Sequence, residues 1–242
     1  MNKRKNIKPL EVNVLHSAPE NQMKKRFSYL AVISIFLFSF LLYANTFHHG
    51  WVLDDYGVFV ENRYVTAGVE GWKDILTHTY RDGNGFFSDK LYRPISQMMF
   101  ALEWEIMPET PGFYHLMNTL YYALTCVLIF AFLRKILKSY SPWIPVLITL
   151  LFAAHPIHTE VVANIKSRDE IVSVLFVMLT LLSSLSLVSA TTKSRRLLCW
   201  CAMIFSYLFA LFTKESAITL LALLPLTLYF FTEARTKDYI TI

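Results

Sequence analysis

The stretch FSYLAVISIFLFSFLLYANT, residues 27–46, decides the fold class. Its twenty residues carry no charge. At 1.5 Å of rise per residue, about 20 apolar residues cross the ~30 Å hydrocarbon core of a bilayer as one helix. A cleaved secretory signal has an apolar region of only ~7–15 residues and a small-residue cleavage site. Here the apolar run continues into Phe47, His48 and Trp51, aromatics that anchor a helix at the membrane surface. The stretch reads as a retained signal anchor. Residues 1–26 precede it as a basic tail with Lys3, Arg4, Lys5, Lys8, Lys24, Lys25 and Arg26, expected to be disordered to about Met23.

Composition extends this reading to the whole chain. Of 242 residues, 55% are hydrophobic and 15% aromatic, and the mean hydropathy is +0.40. Charged residues make up 17%, against about 25% in a soluble domain. The apolar residues are gathered in blocks, so the expected class is an all-α, polytopic membrane protein. Its net charge of +5 comes from Lys and Arg clustered on one side of the membrane and carries no nucleic-acid signal. Cys126, Cys199 and Cys201 lie in apolar blocks and read as small buried residues rather than a disulfide framework.

Five further apolar segments follow, at residues 113–137, 143–154, 171–190, 197–212 and 217–231, giving a bundle of about six spans over residues 27–232. The third is short. It is expected either to continue past His155 or to be buried among its neighbours. Arg134, Lys135 and Lys138 follow the second span, Lys193, Arg195 and Arg196 the fourth, and Arg235 and Lys237 the sixth. With the N-terminal group, fifteen of the 23 basic residues share one side. By the bias of Lys and Arg toward cytoplasmic loops, that side and the N-terminus are cytoplasmic, as is the end at residues 233–242. The other side holds 14 of the 18 acids.

The first outer loop, residues 47–112, is long enough to be functional rather than connecting. It carries Trp51, Trp72, Phe86, Phe87, Tyr92 and Trp104 among charges. Residues 69–80 have the mixture of an interfacial helix, Gly83-Asn84-Gly85 marks a turn, and residues 95–107 form a second helix begun by Arg93-Pro94.

The polar groups on this side carry the chemistry. Asp54 and Asp55, directly after the first span, either solvate a turn or supply a general base whose pKa is raised by burial and by its neighbour. His155, His158 and Glu160 are compatible with a divalent metal, yet HxxHxE is not the HExxH arrangement of zinc hydrolases. They read mainly as hydrogen-bonded structural or substrate-positioning groups. Ser167 with Glu170 has capping-box spacing. That leaves Arg168 to hold a phosphate near a helix N-terminus, with Asp169 beside it. Lys214-Glu215 is an ion pair at the membrane surface or a cation oriented toward an anionic head group. Arg93 is a third candidate cation.

Leu53-Asp54-Asp55, Tyr92-Arg93-Pro94-Ile95, Phe113-Tyr114-His115-Leu116-Met117-Asn118, His155-Pro156-Ile157-His158-Thr159-Glu160 with Arg168-Asp169, and Thr213-Lys214-Glu215-Ser216 occur in this order. Together they resemble the membrane half of the transmembrane and tetratricopeptide-repeat O-mannosyltransferases and their bacterial relatives, which are GT-C glycosyltransferases. The likeness covers residues 27–231.

The resemblance implies transfer of a mannose-like sugar, with inversion, from a polyprenyl- or dolichyl-phosphate carrier. The acceptor is a hydroxyl of a protein or glycan on the non-cytoplasmic side. In the family an acid of the first outer loop is the base, and the match falls on Asp54 and Asp55, with emphasis on the first. Arg93, His155, His158, Glu160, Arg168, Asp169, Lys214 and Glu215 are the expected substrate-binding groups. The family has more spans and a repeat domain, so residues 233–242 read as a truncated end. The implied membrane is a bacterial inner membrane or the endoplasmic reticulum. The rival reading is a non-catalytic membrane protein, such as a transporter fragment or an assembly subunit. A transporter would place charges at mid-bilayer, whereas here they lie at one rim.

Overall fold

The computed structural model describes residues 17–85 and 90–232. Phe86, Phe87, Arg235, Lys237 and the expected ends at residues 1–16 and 233–242 lie outside the described residues. The described chain is helical, with no strand. α1 (Ser17–Leu42) begins inside the segment expected to be disordered. The outer loop then folds into short turns, including α2 (Arg63–Thr66) and α3 (Trp72–Ile75), and into α4 (Pro94–Ile106). α5 (Pro111–Ile136) and α6 (Trp143–Ala153) follow, then the two-turn α7 (His158–Ala163). The chain continues as α8 (Arg168–Val188), α9 (Lys193–Thr213) and α10 (Leu220–Phe231).

Four stretches are long and apolar enough to cross a membrane: Gln22–His48, Pro111–Ile136, Ile165–Val188 and Lys193–Thr213. The protein is therefore a multi-pass membrane protein. The two remaining expected spans are shorter. α6 ends at Ala153 instead of running past His155, because a residue before proline is pushed out of the α region and Pro156 follows. It is not buried either, since Leu151 is 73% exposed. The last segment opens as a 3-10 turn, Glu215–Thr219, before α10, which contains Pro225.

Proline at the first helical position starts both α4 and α5, where its missing N–H costs nothing. The Thr192 hydroxyl caps α9 by accepting Arg195 N–H at 3.3 Å. α5 packs against α1, α6 and α8, and α8 against α9. Thr180 and Ser206 hydroxyls, 2.9 Å apart, join the last pair, the kind of small polar contact that holds membrane helices together. Cys126 is buried in the α1–α5 core, Cys201 is exposed, and all three cysteines are free.

The outer loop sits on one end of this bundle and shares an apolar core with it. Phe59 stacks on Phe100 and Tyr114 at ring distances of 4.6 and 5.7 Å, and Val58, Tyr80 and Ile165 complete the same core. The expected helix over residues 69–80 is broken into a 3-10 turn, Gly68–Gly71, and α3, while α4 matches expectation within a residue at each end. Gly83 approaches Asn62 so closely that a Cβ there would meet its Oδ1 at 1.8 Å.

Candidate active site

The two aspartates after the first span face different environments. Leu53 adopts a left-handed backbone, φ 41°, an unfavourable conformation for a residue with a Cβ. It turns the chain so that Asp55 Oδ2 accepts Val52 N–H at 2.9 Å. Asp55 Oδ1 accepts the N–H of Lys166, also at 2.9 Å. The Asp55 side chain is buried, and burial pushes its pKa up to about 6 against the opposing pull of those two N–H groups. Asp54 points outward, 49% exposed, and takes Arg81 Nη2 at 3.1 Å.

The three candidate cations are all engaged. Arg93 donates through Nη1 to Asp169 Oδ2 at 2.6 Å, through Nε to Glu215 Oε2 at 2.9 Å and through Nη2 to Glu215 Oε1. Burial works against its charge, but Glu215 and Asp169 outweigh it and raise its pKa. Its guanidinium also lies over the Tyr80 ring. Lys214 pairs with Glu170 and is 15% exposed.

Arg168 is fully enclosed. Its Nη1 lies 2.5 Å from Glu103 Oε2, Nε donates to Asn118 Oδ1 at 2.7 Å, and Nη2 donates to the Tyr114 carbonyl at 3.0 Å. Phe100 covers one face at 4.4 Å. Burial raises the pKa of Glu103, and Arg168 opposes that rise.

Ser167 does occupy the position before α8, but its side chain makes no cap. Asp169 Oδ1 instead accepts Glu170 N–H at 2.8 Å, and Glu170 turns to Lys214 rather than closing a capping box. Likewise Lys214 and Glu215 do not pair with each other. Each bridges to a different element, to α8 and to the start of α4.

The histidine block stands apart. His155 and Glu160 are exposed and His158 is half-buried. His158 packs on Phe152 at 4.4 Å, and burial lowers its pKa. Among the described residues no three His, Cys, Asp or Glu side chains gather as a metal would need, so the HxxHxE spacing does not converge on a ligand set. The block lies against a 370 Å³ cavity lined by Tyr43, Asn45, Thr46, His49, Pro156 and Thr159, among others.

Protein O-mannosyl-transferase tmtc2 of Xenopus laevis is 31% identical over 193 residues, which covers 75% of this chain and 22% of that protein. Protein O-mannosyl-transferase TMTC2 of Homo sapiens is 31% identical over 198 residues, with the same coverage. Protein O-mannosyl-transferase TMTC1 of Homo sapiens is 32% identical over 149 residues, covering 60% and 17%. The chain is related to the protein O-mannosyl-transferases. It spans about a fifth of the length of these relatives. No family model matches it, and no solved structure does either.

In this relative of the O-mannosyl-transferases, two charged residues of the site escape a reading of sequence alone. Glu103 looks like one more acid of an interfacial helix, and Arg81 like a charge beside a turn. Their partners, Arg168 and Asp54, are 65 and 27 positions away, so no local spacing announces them. Asn118 lies within a quoted motif, but its role as an acceptor for Arg168 appears only in three dimensions.

Proposed function

We propose that the chain is the donor-handling membrane part of an inverting glycosyltransferase that moves a mannose-like sugar from a polyprenyl- or dolichyl-phosphate to an acceptor hydroxyl on the non-cytoplasmic side. The observation that carries this reading is the division of labour between the adjacent aspartates. Asp55 is buried and committed to two backbone N–H groups, while Asp54 stands exposed at the rim with Arg81 alongside. The names of the relatives support the reaction class.

Asp54 is the group able to meet an acceptor. As the acceptor oxygen attacks the anomeric carbon, its proton passes to the Asp54 carboxylate, and the bond from that carbon to the phosphate oxygen breaks. The carrier leaves as polyprenyl phosphate. A cation beside the leaving phosphate stabilises the charge that develops there. Arg168 is enclosed and Arg93 is held by two carboxylates, so both brace the site. Lys214, partly exposed and paired with the half-open Glu170, is the cation assigned to the phosphate. The prenyl tail is assigned to a 350 Å³ apolar groove walled by α8, α9 and α10, with Met203, Leu221, Leu224 and Pro225 among its lining.

The orientation, with the N-terminus in the cytosol, is supported by the gathering of basic residues at the end of the bundle away from these carboxylates. The deciding experiment is Asp54→Asn in the complete, active protein, assayed with dolichyl-phosphate-linked mannose. Loss of transfer is expected; unchanged transfer overturns the assignment.

A further inference from the structure

The opposite end of the bundle carries nine basic residues against a single acid, Glu20, among the described residues: Lys24, Lys25 and Arg26 of α1, Arg134, Lys135 and Lys138 at the end of α5, and Lys193, Arg195 and Arg196 opening α9. Helix packing draws these into one face. Arg134 Nη1 donates to Ser28 Oγ of α1, and Lys135 Nζ donates to Ser186 Oγ of α8 at 2.6 Å and to the Leu182 carbonyl at 3.4 Å. Phe27 meets Trp143 edge-on at 4.9 Å. Every partner of Arg134 and Lys135 is neutral, in contrast to the carboxylate-rich other end.

Between α1 and α5 a 320 Å³ cleft opens, lined by Val32, Phe130, Ala131, Arg134 and Lys135. Its floor is apolar and its mouth carries two uncompensated cations. Arg134 also lies over the Phe130 ring, 5.8 Å from the centroid, which fixes the guanidinium at the boundary between them. A charge held at this depth favours an anionic partner that can bring its own apolar tail.

We propose that this cleft binds an anionic glycerophospholipid, its phosphate between Arg134 and Lys135 and an acyl chain along Val32, Phe130 and Ala131. Charge complementarity to the two cations of the cleft, on a face where basic residues outnumber acids nine to one among the described residues, identifies the occupant. The site lies at the far end of the bundle from Asp54 and does not depend on the catalytic reading.

The test is lipid retention by the purified full chain, read by native mass spectrometry. The chain is exchanged into mixed micelles holding equal phosphatidylglycerol and phosphatidylcholine. The wild type is expected to keep phosphatidylglycerol selectively. Arg134→Gln/Lys135→Gln should weaken that retention about 25-fold, from roughly fivefold per charge removed. Lys135→Gln alone, at an exposed position, should show the fivefold loss without disturbing packing. Arg134→Lys should retain the lipid.

The charge-matched Lys193→Gln/Arg195→Gln variant separates a site from general surface potential and should retain phosphatidylglycerol. Inorganic phosphate at millimolar concentration should not displace it. Equal retention by the Arg134→Gln/Lys135→Gln variant, an equal loss in the Lys193→Gln/Arg195→Gln variant, or displacement by inorganic phosphate would each overturn the proposal.

Discussion

The Asp55 carboxylate accepts the backbone N–H of Lys166 at 2.9 Å across 111 residues of sequence. It pins the loop that follows the first span to the turn that opens α8. Val52 N–H, on the other oxygen, closes the left-handed turn at Leu53. The placement of Asp54 at the rim is therefore set by its neighbour.

Removing that anchor should loosen the loop. Asp55→Ala leaves two N–H groups without their acceptor, at about 1–3 kcal/mol each where they are buried. Faster amide exchange over residues 50–60, with α5 and α8 protected as before, is the expected result. Uniform protection across that loop would remove Asp55 from the structural role.

The same residue sets a pH dependence. Its pKa is raised from 3.8 to about 6 in the folded protein, chiefly by burial. The native state therefore holds more protons than the unfolded one between those values. Stability contributed by Asp55 is fully present below about pH 4, falls as pH rises toward 6 and is level above it. The slope is at most about 1.4 kcal/mol per pH unit. Thermal unfolding of wild type and Asp55→Asn between pH 4 and 7.5 should show the slope only in the wild type.

Arg168 and Glu103 should behave as a coupled pair. Glu103→Leu or Arg168→Met alone strands a buried charge, with an expected cost of about 3–5 kcal/mol. Replacing both, Arg168→Met with Glu103→Leu, should cost clearly less than the sum, and a double-mutant cycle in chemical denaturation measures the difference. Additive losses would mean the two charges do not stabilise each other.

Lys214→Gln should act on the donor rather than on the fold. Its partner Glu170 is 44% exposed, so the charge left behind is solvated and stability should change by under about 1 kcal/mol. In the active protein the expected effect is about a tenfold loss in kcat/KM for the lipid-phosphate sugar, equivalent to ~1.4 kcal/mol. Arg93→Gln, by contrast, should lower the unfolding temperature, because it releases Asp169 and Glu215 together.

Gly83→Ala probes the outer loop. The added Cβ would fall 1.8 Å from Asn62 Oδ1, the atom that caps α2 by accepting Tyr64 N–H at 3.1 Å. Loss of that cap should cost about 1 kcal/mol, visible as a lower melting temperature with the bundle's helix content intact by circular dichroism.

The long helices were legible because a run such as residues 27–46 needs no partner to explain it: apolar length alone specifies a membrane helix. α4 was legible for a similar local reason, with Pro94 at its start and Pro108 just past its end. Residues 69–80 failed as one helix because Gly71 packs its backbone against Tyr64, where a Cβ would meet the carbonyl at 1.8 Å, and the chain turns there to serve the loop's own core.

In the site, Arg93, Arg168 and Lys214 stood out as charges near a membrane, and the structure gives each a carboxylate partner. Which acid pairs with which cation was not legible. Glu170 has a good local role as a cap for Ser167, yet a longer-range ion pair with Lys214 takes it. Local spacing records what a side chain can do with its neighbours in sequence. It carries no record of a competitor arriving from another helix.

The eleven residues of α6 rise only about 16 Å, roughly half of a ~30 Å hydrocarbon layer, while Leu147 and Leu151 stay open to lipid. Bilayers relieve such a deficit by dimpling around the short element. Water and head groups are then drawn down toward the turn carrying His155 and Pro156, carving a local depression in the leaflet. The histidine block then lies at the floor of that depression, below the level of the bulk surface.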